Sequence, residues 1–202
     1  MIVLPCGDAG LLVELADLEE VLALHAALAT APPAGVVDLV PAARTLLVTV
    51  DPDVTSVEQV ARAVRSVRPE RGRRQDGPCV RIEVVYDGED LGEVARLTGL
   101  DEDEVVRAHT GQTWTVGFVG FAPGFGYLTG EDSRLHVPRR SDPRVRVPAG
   151  AVGLAGVFSG IYPRESPGGW QLIGRTALQV WDLGRDPPAL LQPGNRVRFV
   201  AV

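Results

Sequence analysis

From residue 113 onward no helical periodicity survives, and this constrains the fold more than any other feature of the chain. In its place stand short β-like runs, WTVGFV, RVRVP, AVGLAGVF, WQLIG, ALQVWD and RVRFVAV, punctuated by Gly, Pro, Asn and Asp. Glycine weakens helices and strands alike, and proline removes a backbone donor. Such runs with such punctuation predict an all-β barrel or sandwich with long shaped loops. The pattern is densest in GFVGFAPGFGYL, residues 117–128, where Phe118, Phe121, Phe125 and Tyr127 alternate with glycines. The chain has five Phe and three Tyr, so half of those rings fall in this one segment.

The first part reads differently. Residues 10–15 form a short apolar strand, and residues 18–29 place Leu18, Val21, Leu22, His25 and Leu28 at helical spacing. Residues 36–40 and 45–50 are apolar runs joined by PAAR, a hairpin pattern. Ser56 with Gln59 three residues on is a capping box, opening a helix whose stripe is Val57, Val60, Ala61, Val64 and Val67. VRIEVVY, residues 80–86, closes a β-α-β-β-α-β order, the ferredoxin-like arrangement, or is shared with or belongs to the second domain. The predicted class is α+β: a ferredoxin-like α/β domain over residues 1–78, then a β-barrel domain over residues 79–202. Between the second helix and the last strand, Arg71, Arg73 and Arg74 sit in a polar connector that reads as solvated. Two short helices follow, with Asp90 and Asp101 as N-caps and Gly99 as the stop of the first.

Charge and composition remove several function classes. The net charge of −6 argues against nucleic acid as a partner. All twenty basic residues are arginine, so no lysine serves a Schiff base, a P-loop or biotin attachment. Walker A, dinucleotide and G-x-S-x-G patterns are absent, and no His/Cys/Asp spacing suggests a metal site. Cys6 and Cys79 read as buried thiols in a reducing compartment. No signal peptide or membrane span is expected, which predicts a soluble, cytoplasmic protein.

Three stretches can carry chemistry: residues 117–128, residues 138–156 (PRRSDPRVRVPAGAVGLAG) and residues 159–176 (SGIYPRESPGGWQLIGRT). Glycine-rich turns let backbone N–H groups face an anion. Arg139, Arg144 and Arg146 offer planar forks for carboxylate or phosphate. Tyr162 and Trp170 offer flat apolar surface with a donor. His109, at a helix end, is a candidate acid or base or simply a dipole cap. Ser159 and Ser166 have no base beside them in sequence. The chain looks like half of a site.

These three stretches, with GDAGLLVEL near the N-terminus and VVYDGEDL in the middle, closely resemble the PxpB-type family, the B components of 5-oxoprolinase. That family is also called KipI-like or allophanate hydrolase subunit 1. The resemblance spans almost the whole chain. It implies an α/β N-terminal domain and a cyclophilin-like, carboxyltransferase C/D-type barrel. It implies a component inactive alone that joins a KipA-like, PxpC-type partner and a PxpA-type partner. That complex opens 5-oxo-L-proline to L-glutamate, with ATP as co-substrate. Related members serve urea carboxylase or inhibit a sensor histidine kinase, so those roles stand as alternatives. The resemblance carries over no catalytic residue, because the family's chemistry is shared among subunits; by their own chemistry His109, Arg139, Arg144 and Arg175 are the catalytic candidates. Phe121, Pro123, Gly124, Phe125, Tyr127, Pro148, Gly150, Tyr162, Gly168, Gly169 and Trp170 are the substrate-binding candidates. The aromatics either line a pocket rim and a partner interface or fill the barrel core.

Overall fold

A computed structural model describes residues 1–69 and 77–202. The chain divides into two compact units, Met1–Gln75 and Asp76–Val202. Arg71, Arg73 and Arg74 lie outside the described residues.

The first unit runs β1 (Ile2–Pro5), β2 (Gly10–Glu14), α1 (Leu18–Thr30), β3 (Val36–Pro41), β4 (Thr45–Val50) and α2 (Val57–Ser66). Its four strands form an antiparallel sheet in the order β1-β2-β4-β3. Alternation puts Leu11 and Val13 of β2 and Leu46, Val48 and Val50 of β4 on one buried face. Val21, Leu24 and Leu28 of α1 and Val60, Ala61 and Val64 of α2 pack in the same cluster. The predicted capping box at Ser56 and Gln59 is present in both directions. Replacing Ser56 by alanine removes an N-cap acceptor and is expected to cost about 1 kcal/mol in a denaturant-unfolding measurement.

The strand left open between the two domains belongs to the second. Residues 79–84 do not complete the first sheet; the position beside β2 is taken by β1, which pairs with it from Ile2↔Glu14 to Pro5↔Leu11. The β-α-β-β-α order is present as β2, α1, β3, β4 and α2, and the sheet position next to β2 is filled by β1. The later strand, β5 (Cys79–Val84), pairs in parallel with β13 (Arg196–Ala201) in the second unit. Its alternating face, with Ile82 and Val84 fully buried, would suit either sheet, so pairing is decided by the partner and not by the strand. Both cysteines are exposed, contrary to expectation: Cys6 follows β1 and Cys79 begins β5.

In the second unit α3 (Leu91–Thr98) and α4 (Glu102–Thr110) precede β6 (Trp114–Val119) and β7 (Gly126–Thr129). After these come β8 (Arg144–Val147), β9 (Ala151–Ala155), β10 (Phe158–Ile161), β11 (Ser166–Gly168) and β12 (Gln171–Arg175). Seven strands share one sheet in the order β12-β9-β10-β7-β6-β13-β5. Its two ends meet where Val85 and Arg175 exchange backbone hydrogen bonds of 2.9 Å in both directions, so the sheet is nearly closed and barrel-like. β8 and β11 form a separate ribbon.

The second unit has two apolar clusters. Val94 of α3 and Val105 of α4 pack with Ile82, Val84, Ile173, Val197 and Phe199. A smaller cluster gathers Phe125, Val147, Tyr162, Trp170 and Leu172. No helix among the described residues is long and apolar enough to cross a membrane.

Candidate functional site

The three punctuated stretches, far apart in sequence, converge on the smaller cluster. Phe125 is its hub. Its ring centroid lies 5.3 Å from Phe121, 5.0 Å from Tyr127, 5.3 Å from Tyr162 and 5.2 Å from Trp170, all edge-on. Edge-to-face geometry at these distances matches positive ring edges to negative faces. Behind it, Phe118 and Tyr127 stack at 4.3 Å, and both meet Phe158 at right angles.

The two roles expected of the aromatics are divided between residues. Phe118, Phe125, Tyr162 and Trp170 are buried and serve as core. Tyr127 is half-buried, and Phe121 stands 57% exposed. The glycines permit this packing by what they lack. A Cβ on Gly124, which has φ +83°, would lie 2.7 Å from the Trp181 Cβ. A Cβ on Gly168 would collide with the Tyr162 hydroxyl. Pro123 and Pro148 are exposed on their turns, Gly150 has positive φ, and Gly169 is buried behind the Arg139 side chain.

The arginines separate just as sharply. Arg140 and Arg144 both donate to Asp90, at 2.6 and 2.8 Å, and Arg144 reaches Glu89 as well at 3.0 Å. Arg146 pairs with Glu165 at 2.8 Å and Arg175 with Asp87 at 2.9 Å. Two of the predicted catalytic cations, Arg144 and Arg175, are thus engaged with carboxylates of their own unit. Arg144 is also largely enclosed, and its Nη1 is buried with no hydrogen-bond partner. Arg139 is different: it is exposed, and among the described residues no carboxylate pairs with it. Its guanidinium lies 3.5 Å from where a Cβ of Gly169 would stand, and its charge reaches the Tyr127 and Tyr162 phenols. Burial raises both phenol pKa values, and Arg139 acts in the opposite direction.

Asp90 occupies the N-cap position of α3, as the sequence predicts, but it makes no side-chain cap bond. Its carboxylate instead accepts from Arg140, from Arg144 and, at 2.7 Å, from the Leu172 backbone N–H. Burial alone would raise its pKa; the Arg144 hydrogen bond, the Leu172 N–H and the two guanidinium charges outweigh that and hold it below the usual carboxylate range. Asp90 thereby ties α3, β12 and the loop carrying Arg139 to one point. The Arg140 backbone N–H donates to the Gly169 carbonyl at 2.8 Å and joins that loop to the glycine turn. The available sequence signal is charge matching: DGED at 87–90 faces RRSDPR at 139–144.

His109 does not face a substrate. It is completely buried, with the Tyr86 hydroxyl 2.7 Å from Nδ1 and the Ser159 Oγ 2.9 Å from Nε2. Its carbonyl accepts from the Trp114 indole at 2.9 Å, and its ring lies 4.3 Å from that of Phe199. Burial pushes its pKa down to about 3, so the ring is neutral, donating through one nitrogen and accepting through the other. Ser159 thus has a histidine partner fifty residues away, invisible in sequence, but both are fully enclosed. Among the described residues no group of three or more His, Cys, Asp or Glu is placed to hold a metal ion.

Comparison with known proteins adds the lineage. The family described as "Carboxyltransferase domain, subdomain C and D" matches residues 1–191. The 5-oxoprolinase B subunit of Escherichia coli O157:H7 is 41% identical over 169 residues, 82% of this chain and 78% of that protein. Its counterpart of the same name from Bacillus subtilis is 47% identical over 126 residues, 61% of this chain and 52% of its relative. The solved structure of TTHA0988 superposes with a TM-score of 0.79 at 41% identity; the match covers 96% of this chain and 40% of that one, so this chain spans less than half of it. The Kluyveromyces lactis urea amidolyase superposes with a TM-score of 0.81 over 99% of this chain and 15% of its own, but at 19% identity, a likeness of fold alone.

Proposed function

The chain belongs to the carboxyltransferase subdomain C and D family, that of the 5-oxoprolinase B subunits, and on that premise we propose that it is the B component of an ATP-dependent 5-oxoprolinase. It acts with a PxpA-type partner and a KipA-like, PxpC-type partner to open 5-oxo-L-proline to L-glutamate in the cytoplasm. The seven-stranded sheet is its cyclophilin-like barrel. The observation that carries this reading is the convergence of all three family-like stretches on one aromatic cluster beside Arg139, in a chain 41% identical to a 5-oxoprolinase B subunit across most of its length.

The chemistry is consistent with a shared site. A lactam is a resonance-stabilised amide, and opening it requires activation of the carbonyl and exclusion of adventitious water. This chain offers a rigid aromatic floor and a cation. It offers no exposed histidine in the cluster, no lysine and no Walker A loop for phosphates. ATP is the co-substrate of the assembly in this reading, and no step is assigned to it on these residues.

The test is reconstitution. Mixed with those two partners, the chain is expected to support formation of glutamate from 5-oxoproline with matching release of ADP, and to show neither reaction alone. A stable three-component complex that makes no glutamate would reject the proposal.

A further inference from the structure

We propose that the outer face of the first unit's sheet is a self-association surface, closed by the same face of a second copy of this chain. The proposal goes beyond the function given above and does not depend on it.

Strand register defines the face. On the side toward α1 and α2 lie Val3, Val13 and Leu46 in one cross-strand row and Leu11, Val48 and Leu39 in another. Side chains alternate along a strand, so the residues between those rows point the other way. The central outward row runs Leu4, Leu12, Leu47 and Val40, one residue from each strand in the order β1-β2-β4-β3. Leu4 and Val40 are exposed, Leu12 and Leu47 are half-buried, and none of the four belongs to the cluster under the helices. Ile2, exposed in the row opposite Glu14, widens the stripe. An antiparallel sheet with one face in water ordinarily carries polar side chains on that face. Here an apolar row crosses all four strands, and a contiguous apolar patch of this kind marks an interaction site.

Symmetry and charge select the occupant. The row is apolar from end to end. A two-fold axis between β2 and β4, roughly along the strands, therefore sets Leu12 over Leu47 of the second copy and Leu4 over its Val40. Two sheets packed in near alignment have this geometry, and a patch that matches itself is what an isologous pair requires. The same axis brings Glu14, the last residue of β2, over the start of β4 in the second copy, which Arg44 precedes. Glu14 and Arg44 lie 3.4 Å apart within one chain, both with exposed side chains, so the charges of the two copies meet with opposite signs. On the other side of the row Gly10 lies opposite Thr49, and these small residues leave room for two sheets about 10 Å apart.

Size sets the strength. A face four strands wide and about five residues long has a flat footprint of roughly 300 Å². Two interdigitated faces of that size remove on the order of 1,000 Å² from water, the low edge of specific interfaces. The pair is therefore reversible and depends on concentration.

The wild-type chain alone provides the first test. Its mass by sedimentation is expected to rise from one copy to two between about 1 and about 100 µM, the range that suits so small an interface. Leu4→Lys and Val40→Glu each bury an unpaired charge in the pair, and each is expected to weaken pairing about ten-fold or more. Both positions are exposed in the single chain, so the thermal midpoint at low concentration is expected to stay unchanged. Combined in one chain, the two substitutions set opposite charges against each other across the axis, and the double variant is expected to pair more tightly than either single variant. A chain that stays monomeric through that range overturns the proposal, and so does one that hides the face from radical footprinting only when a PxpA-type or PxpC-type component is added. Pairing that neither single substitution weakens uses another surface and overturns it as well. Weakened single variants with no recovery in the double variant reject the two-fold arrangement. Glutamate formation by the three-component mixture is a separate readout, so the proposed function stands or falls independently of these results.

Discussion

Replacing Asp90 by alanine is expected to destabilise the second unit by about 3–5 kcal/mol, the range found when one partner of a buried ion pair is removed. The Asp90 side chain is 4% exposed, and the Arg144 side chain that it partners is 15% exposed. Without the carboxylate, Arg144 keeps only Glu89, itself 77% exposed and therefore a weak partner, while Arg140 loses its ion pair and the Leu172 N–H its acceptor. Asp90→Asn retains the shape and one acceptor for Leu172, so it should lose less than alanine. Denaturant unfolding of the three proteins gives the ranking directly. A loss below about 1 kcal/mol for alanine would mean that the pair is solvated like a surface bridge and that the loop carrying Arg139 is held by other contacts.

The second large effect is a dependence of stability on pH set by His109. Its folded pKa of about 3 lies below the ordinary 6.5, so the unfolded chain binds a proton more readily than the folded one. The stability that depends on a neutral His109 is complete above pH 6.5 and is lost progressively as pH falls toward 3. Integrated over that window the loss is on the order of 5 kcal/mol. His109→Gln, which can still donate to one neighbour and accept from the other, should flatten the acid limb between those pH values. His25 in the first unit is also held below its ordinary value, by burial against an opposing Asp38 charge, so the His109 share is the difference between wild type and variant. Asp90, depressed from an ordinary 3.8, contributes only at the acid end. Parallel limbs in wild type and His109→Gln would show that His109 is not a buried neutral group.

Local chemistry explains what could be read directly. The Ser56 and Asp101 capping boxes, the left-handed Gly99 after α3 and the apolar stripe of α2 depend on neighbours within four residues, and all stand where periodicity and cap chemistry place them. The hairpin of β3 and β4 follows for the same reason. β5 shows where that reach ends. Its alternation defines a strand with one buried face but contains nothing that selects β13 over β2 as its neighbour.

The candidate site divides along the same line. That residues 117–128, 138–156 and 159–176 share one glycine, proline and aromatic texture was legible; that they meet in one cluster was not. Which residue within them is available was not legible either. Arg139, Arg144 and Arg175 look alike in sequence. Only the positions of Asp87, Glu89 and Asp90 across the fold separate the paired cations from Arg139, which has no carboxylate among the described residues. His109 has the spacing of a helix-end acid or base, and only the packing of Tyr86, Phe199 and Ser159 around it makes it a neutral core residue. The sequence by itself determined element types, caps and the glycine-rich, aromatic segments, since those rest on backbone conformation and hydrophobic period. Tertiary structure alone decided strand partners, ion pairs and exposure, because burial and electrostatic pairing are properties of atoms brought together from distant parts of the chain.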